Sequence, residues 1–315
     1  MVKRNLNIDT LFRKNYDKTS ATEYLYTLPE PINNVVSMNI ASIEIPYVWY
    51  SLDSRDHSNE FTITIRDCSS IVTGTDTYAH TFRIPSGNYG SADLISAMNN
   101  YFSNLGDGFN YLYFDVEETS SKCIIRVKTY AEDPFYNDVA LYLNYPNCSI
   151  EIDFRIESDP TRPIYKNAGW MFGFKRPTYT IRYDAVGIEN YIFMTAPQVY
   201  HYYLISESSY GNSLQNYFFI EIDDFHKNFS TNMLMSSTAD SYLGNNIMGR
   251  IQVISGFNTI LTNTNNDFIF KVREYFGPIK LEKMFIRIIN RFGDPLNING
   301  NDFSILLEIE QLYSQ

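Results

Sequence analysis

Short runs in which β-branched and aromatic residues alternate with polar ones recur along the whole chain. They fall at residues 24–28, 35–45, 61–65, 80–84, 111–117, 123–129, 149–156, 191–194, 200–205, 217–222, 250–254, 268–272, 281–289 and 303–310. Gly, Pro, Asn and Asp separate most of them, so the chain turns back repeatedly. This density of short strands predicts antiparallel sandwiches or barrels, not alternating strand–helix units. One segment has a different period. Across 91–105 the apolar residues Leu94, Ile95, Met98, Tyr101, Phe102 and Leu105 fall on one helical stripe. Ser91 is placed to cap its first turn, Asp93 to meet the positive end of the dipole, and Gly106 to close it. Two alternating strands joined at 118–121 follow, so 84–129 reads as strand, helix and hairpin.

Outside residues 56–187 about eight strand candidates remain, the number in a jelly roll. The fold class expected is therefore mainly β: an antiparallel jelly-roll β-sandwich carrying an inserted α+β module with one amphipathic helix. The expected domains are an N-terminal arm at 1–20, the sandwich at 21–55 plus 188–315, and the insertion at 56–187 with its helix near 91–105. Two consecutive β domains meeting near residue 187 are the alternative.

Composition narrows the function. Of 315 residues, 16% are aromatic and 19% charged, the reverse of a disordered chain. Asp and Glu outnumber Lys and Arg by 36 to 25, giving a net charge of −11 that argues against a coat for nucleic acid, so no direct nucleic-acid partner is expected. Cys68, Cys123 and Cys148 form no CxxC pair, which excludes a disulfide scaffold. No apolar run approaches the roughly 20 residues that span a bilayer, and residues 1–18 lack the apolar core of a secretory signal.

Reactive chemistry is hard to find. His57, His80, His201 and His226 show no ligand spacing, so no metal or other cofactor is expected. Glu221 and Asp223 place two carboxylates on one face of a strand end, with His226 beyond. Glycoside cleavage uses such a pair, but no second element completes a site, and an acidic strand-to-loop transition is the preferred reading. No nucleophile elbow is present, and the chain is expected not to be an enzyme. The basic run Lys3, Arg4, Arg13, Lys14 and Lys18 is the one local excess of positive charge, suited to docking on an acidic neighbour. Tyr200, Tyr202, Tyr203, Tyr217, Phe218 and Phe219 occupy both faces of their strands. Core packing accounts for most such aromatics and protein–protein burial for the rest.

Several stretches, in order and spanning nearly the whole chain, resemble a known family. Ile8-Asp-Thr-Leu-Phe-Arg13 is followed by residues 24–28 and by Val35-Val-Ser-Met-Asn-Ile-Ala-Ser-Ile-Glu-Ile-Pro46. Then come Ile84-Pro-Ser-Gly-Asn-Tyr89 with its helix, Gly169-Trp-Met-Phe-Gly-Phe174, and Tyr179. Arg273-Glu-Tyr-Phe-Gly-Pro278, Phe292-Gly293 and Asn301-Asp-Phe-Ser304 close the series. Together they resemble the minor capsid and virion structural proteins of nucleocytoplasmic large DNA viruses, the giant viruses. Leu11 departs from an arginine usual in the first motif, and Asn290 from an acidic residue usual before the aromatic–Gly turn.

The resemblance implies a non-enzymatic building block of an icosahedral capsid, minor or vertex (penton-type), found in the virion and assembled in host cytoplasm. Its implied partners are other capsid proteins, major and minor, or further copies of itself. On that reading Arg4, Asp9, Arg13 and Lys14 of the arm are the first candidates for partner contacts. The rival reading is a carbohydrate-binding β-sandwich for host attachment, with Trp49 and Trp170 as stacking platforms.

Overall fold

The computed structural model describes residues 1–313 apart from 68–76, 107, 191–197, 212–215, 230–234, 238–241, 245, 255 and 265–271. The strand candidate at 191–194, most of that at 268–272, and Cys68 lie outside the described residues. In chain order the elements begin with β1 (Val2–Asp9), β2 (Glu23–Pro46), β3 (Glu60–Arg66), β4 (Thr77–Arg83), α1 (Ser91–Leu105), β5 (Leu112–Val116) and β6 (Lys122–Val127). They continue with α2 (Asp138–Asn144), β7 (Ser149–Asp153), α3 (Ala168–Met171), β8 (Thr178–Ile181), β9 (Ile188–Asn190), β10 (Gln198–Tyr200) and β11 (Tyr203–Ser209). The last are β12 (Tyr217–Asp223), β13 (Ser236–Ser237), β14 (Tyr242–Leu243), β15 (Ile247–Gln252), β16 (Ile260–Thr264), β17 (Arg273–Asn290) and β18 (Ser304–Gln311). Among the described residues every strand pairing is antiparallel, as the alternating pattern predicts.

The chain forms two compact units, Met1–Trp49 with Gln215–Gln315, and Tyr50–Leu214. The first is built on one seven-stranded sheet, ordered β1-β18-β2-β17-β12-β15, with β16 also on β2. Residues 24–28 and 35–45, read from sequence as separate strands, are one 24-residue strand. The cause of the apparent break is proline. Leu281 pairs with Ile32 and Lys283 with Thr27, so residues 28–31 bulge opposite Glu282 alone. Pro29 and Pro31 lack the N–H a ladder needs and sit in that bulge. A second bulge re-aims the strand. Leu306 pairs with Ser42 but Leu307 with Ile40, leaving Ala41 extra. The inward residues accordingly switch from Met38 and Ile40 to Ile43 and Ile45. All the long strands feed one core, which includes Ile8, Val35, Met284, Ile286, Phe218, Ile305 and Leu307.

β2 and β17 run through the whole of this sheet and join its strands, while β13 and β14 pair only with each other. Residues 2–9, within the N-terminal arm expected at 1–20, are an edge strand paired with β18 along their full length. Ile8 drives this: it is buried in the core, and Leu6 packs against it. Both faces of β12 are covered, with Phe218 in the main core and Phe219 in a second cluster with Ile247 and Ile289.

The second unit holds the sheets β4-β3-β7-β8 and β11-β6-β5. The helix lies where its period predicts, and buries Leu94, Met98 and Phe102. Its N-cap is Gly90 without a side-chain bond, so Ser91 is the first helical residue and not the cap; Gly106 closes it at φ 63°. Asn99 fixes the helix to β5 by donating to the Phe114 carbonyl (2.9 Å) and accepting from the Phe114 amide (2.8 Å). The hairpin β5–β6 turns through 117–121 as expected. β11 belongs here, because its residues 203–205 pair with Ile124, Ile125 and Arg126 of β6. This unit thus extends past the boundary expected at 187.

Candidate interaction site

The N-terminal segment is anchored from end to end. After β1, Thr10 donates its amide to the Phe303 carbonyl (3.0 Å), and its hydroxyl accepts from the Phe303 amide (2.9 Å). Asp302 is the hub. It receives Thr10 Oγ1 (2.9 Å), the Arg13 guanidinium (2.5 Å) and Tyr16 Oη (2.7 Å). Burial opposes the Asp302 charge, but those three hydrogen bonds and the Arg13 cation outweigh it and hold the carboxyl below its usual range. Arg13 also donates to the carbonyls of Thr10 (2.8 Å) and Thr19 (3.2 Å) and stacks 3.9 Å from the centre of the Tyr16 ring. Two cavities of about 260 and 280 Å³ include Arg13 in their walls, but its donors are spent within the chain.

The sequence-predicted residues separate accordingly. Arg13 is a staple with a side chain only 6% exposed, and Asp9 caps the short 3-10 turn Thr10–Phe12 by accepting from the Leu11 amide (2.9 Å). Both side chains are engaged within the chain. Arg4 and Lys14 are exposed and form no ion pair among the described residues. Lys3 is engaged by Glu308 (2.9 Å) and Glu310 (3.4 Å) of β18. Asp302 was not singled out in sequence, although it lies within the Asn301–Ser304 motif.

Neither tryptophan offers a free stacking face. Trp49 is 3% exposed, in the core against Tyr47 and Phe218. Trp170 is half-buried, with the Lys175 ammonium 3.7 Å above its ring and Tyr165 at its edge. The acidic strand end is also spoken for. Glu221 pairs with Arg287 (3.0 Å), and Asp223 accepts from the Phe225 amide (2.8 Å). Asp224, fully buried, pairs with the equally buried Arg273 (2.9 Å) and accepts from Tyr275 Oη. Burial, then the Asp224 charge, push the Tyr275 phenol far above its usual range. Among the described residues no three His, Cys, Asp or Glu side chains are grouped to hold a metal ion. No described helix is long and apolar enough to cross a membrane. Cys123 is a buried thiol, whereas Cys148 takes part in a disulfide.

The motifs that carry the resemblance have structural work. Asn88 accepts from the Ser51 amide and hydroxyl, each at 2.7 Å. Gly169 lets α3 lie on the Phe154 ring, and Gly173, at φ 92°, lies against the Ser208 carbonyl; neither has room for a Cβ. Met171, Phe172 and Phe174 fill the core of the second unit, Arg273 and Tyr275 clasp Asp224, and Asp302 holds Arg13.

No family model matches the chain, and no curated protein matches it. Among solved structures it is similar to the selenomethionine-labelled mavirus penton protein, with a TM-score of 0.47 and 11% identity, covering 99% of this chain and 100% of that one. It is also similar to a chain in the cryo-EM structure of the Sputnik virophage, with a TM-score of 0.39 and 11% identity, covering 98% of each chain.

Proposed function

We propose that this protein is a structural component of an icosahedral viral capsid, of minor or vertex type, acting through protein–protein interfaces and not through catalysis. One observation carries the reading: large apolar side chains stand in solvent on both units, while Glu221, Asp223 and Asp224 of the acidic strand end are engaged within the fold. Phe12 and Phe276 of the first unit are each 80% exposed, and Phe135 of the second is 78% exposed. Surface of this kind is covered in an assembly. The chain-long motif resemblance supports a virion of a large DNA virus as that assembly, with other capsid proteins as the neighbours. Exposed Arg4 of β1, and exposed Leu11, Phe12 and Lys14 after it, make the N-terminal segment a candidate for one such contact. The glycan-platform reading loses Trp49 to the core. The test is whether purified particles contain the protein at fixed stoichiometry and whether Arg4→Glu with Lys14→Glu lowers its incorporation while leaving the free protein folded.

A further inference from the structure

We infer that the surface presented by residues 130–143 of the second unit is a self-association face, covered in the assembled state by a second copy of this chain. The inference rests on the assembly role proposed above and names one of its interfaces. Tyr130, Phe135, Tyr136, Val139, Tyr142 and Leu143 are all exposed within this segment. Val139, Tyr142 and Leu143 share one face of α2, since they stand three and four residues apart. Leu141, on the opposite face, is buried in the core of the unit.

The surface is built rather than slack. The Asp133 carboxylate accepts from the amides of Phe135 (2.9 Å) and Tyr136 (3.0 Å). Asn137 donates to the Asp133 carbonyl (3.0 Å) and caps α2 by accepting from the Ala140 amide (2.9 Å). Tyr136 meets the Tyr111 ring edge-on at 5.2 Å, and Tyr142 stacks on Tyr183 at 4.1 Å. The rings are thus held before any partner arrives, and binding loses little side-chain freedom.

Charge and area select the occupant. Every charged side chain from Arg126 to Leu143 is used inside the unit: Arg126 with Glu132 (2.7 Å), Lys128 with Asp133 (3.6 Å), and buried Asp138 with the Val139 amide (2.8 Å). The segment itself therefore contributes no unpaired cation for an acidic partner or a lipid surface and no unpaired carboxylate for a basic one. A neutral aromatic face is complementary to itself under a two-fold axis. Two chains of net charge −11 repel at a distance and meet most readily where no like charges are opposed. The six side chains expose on the order of 600 Å², close to the roughly 800 Å² each partner gives to a standard interface.

Sedimentation equilibrium of the full chain tests this. The native protein is expected to associate reversibly, and Phe135→Asp with Leu143→Asp to weaken association about a hundredfold without changing circular dichroism. If that variant misfolds, Phe135→Ser with Leu143→Ser replaces it. Phe12→Asp, on the other unit, is expected to associate like the native chain. A native protein monomeric at every concentration, patch variants that associate normally, or equal weakening by Phe12→Asp would overturn the inference. Incorporation into particles is read in parallel. A monomer that still enters particles removes only this interface, whereas a self-associating protein absent from particles removes the capsid role and leaves the interface standing.

Discussion

Arg13 and Asp302 lie 289 residues apart in sequence, yet guanidinium and carboxylate meet at 2.5 Å in a site that leaves Arg13 almost no solvent. The pair ties the N-terminal segment to the start of the last strand. Removing one partner strands a buried charge, so Asp302→Ala is expected to cost about 2–4 kcal/mol, read as a lower urea midpoint.

The same carboxyl gives a pH dependence. Because its folded pKa is depressed, its contribution is present above the unfolded value, about 4, and is lost as pH falls through the folded one. Acidification through that window is expected to destabilise the native protein more than Asp302→Asn, with urea midpoints at several pH values as the measurement.

Deleting residues 1–18 removes a whole edge strand, the buried Ile8 and the Arg13 staple together. The truncated chain is expected to melt well below the native one. Arg4→Glu with Lys14→Glu is expected to leave the melting temperature unchanged, since neither side chain is buried or forms an ion pair among the described residues.

Asp224 and Arg273 form the most deeply buried ion pair described. Breaking it with Asp224→Asn or Arg273→Met is expected to cost about 3–5 kcal/mol. Tyr275→Phe, which deletes only one hydrogen bond to Asp224, is expected to cost about 1–3 kcal/mol. Chemical denaturation of the three variants gives the order.

At Gly169 a methyl would overlap the Phe154 ring, and at Gly173 it would add left-handed strain and a clash with the Ser208 carbonyl. Gly169→Ala and Gly173→Ala are each expected to unfold the second unit at lower temperature than Gly211→Ala, whose position has open space. Calorimetry of the full chain separates the three.

How much of this was legible depended on range. The helix at 91–105 and the hairpin after it are local, and their hydrophobic periods located both. The pairing of β11 with β6 joins residues distant in sequence, so no local pattern could assign 203–209 to the second unit. Pro29 and Pro31 looked like a boundary because a bulge and a turn use the same residues. The start of the chain looked like an arm because its polar residues outnumber Leu6 and Ile8, which suffice for an edge strand. Trp49 shows the limit of composition: an aromatic that could anchor a ligand serves equally well in a core, and only packing distinguishes the two. For Arg13 the sequence shows a basic residue in a basic run but not its partner, because Asp302 is 289 residues away.

The most direct test of the capsid role is quantitative mass spectrometry of purified virions, followed by cryo-EM reconstruction of their shell. The protein is expected at a fixed ratio to the major shell protein, with density for both units seated among neighbours and Phe12, Phe135 and Phe276 covered. A protein abundant in infected cells but missing from purified virions would contradict the account.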